Sequence, residues 1–156
     1  MTDPLYLVRH AKAGERRLWT GDDVERPLSK KGHQQAELVG RRLAKLRPSL
    51  LCSSPYVRCV QTLEPLAERL DLVVDIDQRL CEDEPFEPVL ELLATTPGGT
   101  VMCSHGDIIP AALAALERRG TEIRTPADWR KASVWVLGRN KKRQIVHATV
   151  WPPPAR

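Results

Sequence analysis

Two histidines flanked by arginine, serine and glycine carry the clearest chemistry in this chain. His10 follows Arg9 at the end of the apolar run Leu5-Tyr6-Leu7-Val8, and His105 lies in Ser104-His105-Gly106 after Thr100-Val101-Met102-Cys103. A third polar segment, Ser53-Ser54-Pro55 with Arg58 shortly after it, follows Leu50-Leu51-Cys52. Two guanidinium forks suit a tetrahedral dianion better than a planar carboxylate. Arg58 falls in the first turn of a helix expected to begin near Pro55, where free backbone N–H groups also attract anions. A neutral imidazole in such a site is a nucleophile. A second imidazole can donate to the charge that develops on transferred phosphoryl oxygens. Each segment alone is an ordinary strand-to-loop turn; the set has meaning only if the fold brings the three together.

The pattern of elements predicts that it does. Leu5–Val8 is an unbroken apolar run, as in a strand covered on both faces. Ser29 can cap a helix whose Ala36, Val39, Leu43 and Leu46 recur at helical spacing, with Pro48 beyond its end. A second strand over 50–53 leads into a helix with Val60, Leu63, Ala67 and Leu70 on one face, and Pro65 is expected to kink or restart it. A third strand is expected over 73–76, a helix around Phe86 to Leu93, and a fourth strand over 100–103. Asp107 is placed to cap the helix that follows, with Pro110 in its first turn. Stretches 133–137 and 144–150 read as a closing hairpin around Arg139-Asn140-Lys141-Lys142. Alternating strands and helices predict an α/β three-layer sandwich, a mostly parallel central sheet with helices on both faces. Ligands of such sheets bind beyond the carboxyl ends of the strands, where Arg9-His10, Ser53-Ser54 and Ser104-His105 fall. One domain is expected over 1–150, with a proline-rich tail over 151–156.

Size and composition agree with that plan. A chain of 156 residues, 42% hydrophobic and 28% charged, is long enough to hold one core. No apolar run is long enough to span a membrane, and the first residues lack the basic and apolar regions of a signal peptide, so the chain reads as cytoplasmic. The net charge of +4 is mild, and the basic runs lack the interleaved aromatics of a nucleic-acid polymer interface. Four cysteines occur with no Cys-x-x-Cys pair, and Cys52 and Cys103 read as small buried residues. No metal-ligand spacing is present. His33 and His147 read as structural or exposed, and Trp19 as either a pocket lip or a cover for the core. Lys12, Arg16, Arg17 and Arg26 make the segment after His10 basic, suited to steering a phosphorylated substrate or serving as solvated surface.

The motifs Leu7-Val8-Arg9-His10-Ala11, Pro27-Leu28-Ser29-Lys30-Lys31-Gly32 with Gln35-Ala36, Ser53-Ser54-Pro55 with Arg58 and Gln61-Thr62, and Ser104-His105-Gly106 resemble the histidine phosphatase (phosphoglycerate mutase-like) superfamily. The resemblance runs from about Leu5 to Val136. The short length and Arg26-Pro27-Leu28 resemble its SixA-like phosphohistidine phosphatase branch. Trp19-Thr20-Gly21-Asp22-Asp23 and the segment 59–65 also resemble the phosphatase half of certain actinobacterial MutT-type Nudix fusion proteins.

The resemblance implies a hydrolase without metal or cofactor in which His10 is transiently phosphorylated. Arg9, Arg58 and His105 then complete the phosphate pocket, with Gly106 and Arg26 as further substrate contacts. Leu80-Cys81-Glu82 resembles the segment in which many members place a proton donor, with Asp83 and Glu84 as neighbouring competitors and an acidic surface loop as the plain alternative. Ala11 departs from the family's usual glycine. The expected partner is a phosphorylated small molecule or a phosphohistidine protein. Hydrolysis of nucleotides beside a Nudix enzyme and a non-catalytic phosphate-binding module remain the alternatives. A mutase fits less well, because the chain has little room for long insertions.

Overall fold

A computed structural model describes residues 3–155; Met1, Thr2 and Arg156, which end the expected domain and tail, lie outside the described residues. The chain forms strand β1 (Leu5–Arg9), helix α1 (Lys30–Ala44), β2 (Leu50–Ser53), α2 (Val57–Leu70), β3 (Val74–Ile76), α3 (Glu87–Thr95), β4 (Thr100–Ser104), α4 (Ile108–Arg118), β5 (Glu122–Ile123), β6 (Val134–Arg139) and β7 (Ile145–Trp151). All seven strands join one sheet in the order β3-β2-β4-β1-β6-β7-β5. The pairings β3-β2, β2-β4, β4-β1 and β7-β5 are parallel, and β1-β6 and β6-β7 are antiparallel. The sheet is therefore mostly parallel, with an antiparallel hairpin added beside β1.

Alternation along the central strands feeds two cores. Leu5 and Leu7 point to one side and Tyr6 and Val8 to the other. The first core takes Leu90 and Leu93 of α3 and Ile109 and Leu113 of α4. The second takes Ala36, Val39 and Leu43 of α1 and Cys59, Leu63 and Leu66 of α2. Each fully buried leucine in these layers contributes about 1.5–3 kcal/mol. The three-layer arrangement follows from this two-sided burial.

Several local expectations change. Helix α2 begins at Val57 rather than near Pro55, because Tyr56 N hydrogen-bonds to Ser54 Oγ and Tyr56 O takes the first helical bonds. It also runs through Pro65 without restarting. Cys59 and Leu63 before the proline and Leu66 after it pack into the same core, and that burial outweighs one lost backbone hydrogen bond. The buried stripe of α2 is rotated from the one expected: Arg58, Cys59, Thr62, Leu63 and Leu66 face inward, whereas Val60, Ala67 and Leu70 are half-buried. Leu46 lies beyond the end of α1 and is exposed.

Short β5 has no hydrophobic signature in the sequence; it exists because its backbone pairs with Glu122 beside His147 and Ile123 beside Ala148. Strand β7 extends one residue further than expected. Trp151 closes it, packing near Tyr6 with the Arg42 guanidinium 3.6 Å from its ring. Among the described residues, no helix is long and apolar enough to cross a membrane.

Candidate active site

Strand β4 lies between β2 and β1 in the sheet, and all three run parallel. Their carboxyl ends therefore deliver Ser53-Ser54, Ser104-His105 and Arg9-His10 to one edge, as the sequence pattern requires. His10 N is fixed by Ser104 O at 3.1 Å and Ser54 N by Cys103 O at 3.1 Å. The rings of His10 and His105 stand 5.5 Å apart, edge to face.

His10 is buried, and its Nδ1 lies 2.8 Å from the Ala11 carbonyl. A carbonyl only accepts, so the proton sits on Nδ1 and the lone pair on Nε2. Burial is the main cause that pushes the His10 pKa down to about 3. The charges of His105, Arg58 and Arg9 add to it, against the hydrogen bond to Ala11. The imidazole is thus neutral at ordinary pH.

Polar side chains lock the segment after His10. Thr62 Oγ1 accepts from Ala11 N at 2.9 Å and donates to Arg58 O at 2.7 Å. Gln35 Oε1 takes Lys12 N and Gln61 Oε1 takes Leu28 N. Gly32 in the first turn of α1 lies directly against Lys12 O, where a Cβ would sit 1.9 Å from that oxygen. Ala11 itself is fully buried in the core above α1 and α2, so its methyl has a packing partner.

Arg58 is nearly inaccessible. Its guanidinium donates to Asp23 O at 2.9 Å, to Asp23 Oδ2 at 3.1 Å and to Glu82 Oε1 at 2.5 Å. Asp23 also accepts from Arg26 Nε at 2.8 Å. Burial works against ionisation of Asp23, but hydrogen bonds and charge from Arg26 and Arg58 outweigh it and hold the carboxyl at about 2. Asp23 is thus an orienting carboxylate between two arginines, a role the sequence motifs did not indicate. Arg26 lines the cleft, but its Nε and Nη1 are occupied by Asp23 and Gly14 O, so it chiefly braces the loop.

Arg9 donates from Nη1 to Trp129 O at 2.6 Å, and its guanidinium lies flat against Gly106, where any Cβ would come within 2.6 Å of Cζ. On the other side of the site, Ser54 Oγ lies 2.9 Å and Cys59 Sγ 3.5 Å from His105 Nε2. His105 Nδ1 faces Glu82 Oε2 at 3.9 Å. Tyr56 packs edge-on to His105 and beneath Arg58.

These groups border a cleft of about 510 Å³ that holds Arg9, His10, Arg58, Glu82 and Gly106. Of the three acidic neighbours, Glu82 lines it; Asp83 is exposed with its N–H bound to Asp107, and Glu84 is exposed. Three buried side-chain nitrogens, Arg9 Nε, Arg58 Nε and His105 Nδ1, have no hydrogen-bond partner among the described residues. Such groups are costly to leave unpaired and fit the oxygens of an anion.

The structure brings together His10, Arg9, Arg58, His105, Glu82 and Gly106. Sequence reasoning missed Asp23, Ser54 as the partner of His105, and Lys131, which also lines the cleft. Ser54 was part of a recognised motif without a role, and Lys131 carries no motif at all. His33 is exposed, whereas the ring of His147 covers Gly138. Trp19 covers neither core nor cleft; it is exposed and donates to Asp22 O at 2.8 Å. All four cysteines are buried and free, and Cys59 approaches His105 while Cys81 contacts Ser54. Among the described residues, no group of three metal-ligating side chains is assembled.

Residues 5–84 match the family description "Histidine phosphatase superfamily (branch 1)". The chain is 34% identical over 160 residues to an 8-oxo-(d)GTP phosphatase of Mycolicibacterium smegmatis, a match covering 98% of this chain and 49% of that protein. It spans about half or less of the length of the curated relatives it matches. Its fold is that of the protein histidine phosphatase SixA complexed with tungstate, with a TM-score of 0.73 at 20% identity over 95% of this chain and 94% of the other. A mycobacterial glucosyl-3-phosphoglycerate phosphatase complexed with VO3 aligns with a TM-score of 0.72 at 22% identity, covering 98% and 100% of the two chains. With this fold, two histidines and two arginines at one sheet edge, and a family match over more than half its length, the chain belongs to the histidine phosphatase superfamily, branch 1.

Proposed function

We propose that this chain is a phosphatase that hydrolyses its phosphorylated substrate through a phosphohistidine on His10. The observation that carries this reading is the bare Nε2 of a neutral, buried His10, oriented by the Ala11 carbonyl near the unpaired nitrogens of Arg9, Arg58 and His105. In the first step Nε2 attacks phosphorus in line, and the bond to the leaving oxygen or nitrogen breaks. Arg9, Arg58 and His105 hold the equatorial oxygens. Glu82 gives a proton to the leaving group. In the second step water attacks phosphorus, the P–N bond breaks, the water proton passes to Glu82, and inorganic phosphate departs.

For the substrate, a phosphohistidine protein and a phosphomonoester are both compatible with this site. Likeness to SixA structures supports the first. The M. smegmatis relative, whose name gives 8-oxo-(d)GTP as its substrate, supports a nucleotide or other small metabolite. Action beside a Nudix hydrolase rests on the resemblance of the segments 19–23 and 59–65 alone. A binding module without turnover is disfavoured by the retention of both histidines and both arginines.

The test is His10→Ala with an activated aryl phosphate. Turnover should vanish while the circular dichroism spectrum is unchanged. Acid-labile, base-stable phosphate should be trapped on the wild type after rapid quenching. Retained turnover, or phosphate on serine or cysteine, overturns the covalent role of His10. A panel holding a phosphohistidine protein, nucleotides and phosphoglycerates then separates the substrate classes.

A further inference from the structure

Beside the catalytic cleft runs a second groove of about 640 Å³. The two share Arg9, Lys12 and Lys131. The groove adds Lys31 from the first turn of α1 and Arg130 from the segment before β6. Pro153 and Pro154 form part of its wall, so the tail closes onto the site it follows in sequence. Among the described residues its lining contains five cations and no carboxylate, whereas the catalytic cleft includes Glu15, Glu82 and Asp107. Arg130 is the one cation of the five in an ion pair among the described residues, with Asp128 at 2.5 Å. Lys131 shows the crowding: burial, then the charges of Arg9, Arg26, Lys12 and Arg58, lowers its pKa.

Positive charge concentrated without acidic partners costs self-repulsion, and a bound anion removes that cost. The groove opens into the cleft through shared residues. A small molecule lying across both therefore sets one phosphoryl group at His10 and another anionic group among the lysines. Bordered by cationic side chains and continuous with the cleft through three of them, the groove suits a second phosphate of the same small molecule. We propose that this groove is a second anion subsite, and that the substrate is a small molecule carrying a second phosphate besides the one removed. This rests on the phosphatase reading above and narrows its substrate class.

The test compares glucose 1,6-bisphosphate with glucose 6-phosphate, and ADP with AMP, in wild type, Lys31→Glu and Arg130→Glu. The two pairs distinguish phosphates spaced by a sugar from phosphates joined as an anhydride. In at least one pair the doubly phosphorylated member should have the higher kcat/KM. Each variant should cut that advantage about tenfold, the worth of one charge-assisted hydrogen bond. Nitrophenyl phosphate turnover should stay within about twofold, since neither side chain reaches the cleft around His10. No advantage in either pair, or an advantage that both variants keep, overturns the subsite. So does a phosphohistidine protein preferred over every small molecule.

Calorimetric titration of His10→Ala with pyrophosphate and orthophosphate separates the two readings. Tighter pyrophosphate binding that Lys31→Glu abolishes supports the subsite even if no substrate is turned over, in which case the phosphatase reading alone fails. Equal binding of the two anions overturns the subsite whatever the activity.

Discussion

Ser54 Oγ stands 2.9 Å from Nε2 of His105, on the side of the ring turned away from Glu82. Tyr56 N donates to the same hydroxyl, and the serine keeps both a proton and a second lone pair to offer the imidazole. In the tautomer whose Nε2 accepts the serine proton, the N–H of His105 lies on Nδ1, which has no hydrogen-bond partner among the described residues. Ser54 is expected to act as a positioning residue that favours this tautomer, the one able to donate to a phosphoryl oxygen.

Ser54→Ala should lower kcat by about 10- to 100-fold, the cost of losing one buried hydrogen bond at the reacting centre. KM should change little, and Ser54→Thr should restore most of the rate. Loss of thermal stability with kcat intact would instead assign Ser54 to packing.

Arg58 makes three directed contacts, to Asp23 O, Asp23 Oδ2 and Glu82 Oε1. A lysine ammonium has no planar fork to match them. Both Arg58→Lys and Arg58→Ala should therefore lose about 2–5 kcal/mol of transition-state stabilisation in kcat/KM. Asp23→Asn removes the charge between Arg26 and Arg58 and should cost about tenfold in kcat/KM. Wild-type turnover by the lysine variant would place Arg58 outside the phosphate site.

Glu82 is tested by the leaving group. An alkoxide needs a proton as it departs, and a nitrophenolate does not. Glu82→Gln should slow an alkyl phosphate more than an aryl phosphate by about 10²–10⁴-fold. Asp83→Asn and Glu84→Gln, both outside the cleft, should show no such dependence. Equal loss on both substrates would make Glu82 only the partner of Arg58. If no variant shows the dependence, the site lacks a dedicated acid, and an easily expelled imidazole becomes the better leaving group.

The neutral state of His10 has a signature in stability. Its pKa is about 3 in the fold and near 6.5 in the unfolded chain. Between those values the unfolded state binds a proton that the native state excludes, so stability falls as pH falls. Asp23, held at about 2, gives stability that is lost only below about pH 4. Denaturant melts from pH 7 to pH 5 should therefore isolate His10. The wild type should lose about 2 kcal/mol more than His10→Ala over that range. Parallel curves for the two proteins would mean that His10 is protonated normally in the fold.

The local sequence was enough for the existence and order of the four α-helices and for the ends of the central strands, though not for the buried face of α2. Ser29 caps α1 and Asp107 caps α4 because their side chains bond backbone N–H groups of the adjacent first turns. The apolar runs before Arg9, Ser53 and Ser104 became the inner parallel strands because both their faces are buried. His10, His105, Arg9 and Arg58 were legible for the same reason: each sits next to a strand or helix end that local pattern defines. Asp23 was not, since its role arises from Arg58, 35 positions away, and Arg26 converging on it. Ser54's bond to His105 spans 51 positions and depends on β2 lying beside β4. Strand β5 depends on an edge partner, and an unbroken α2 on packing around Pro65. The basic groove gathers Lys12, Lys31 and Lys131, far apart in sequence, because the fold lays α1, the segment before β6 and the tail side by side. Short-range pattern fixes elements and their caps; charge pairing and groove walls depend on which elements become neighbours, and only tertiary packing sets that.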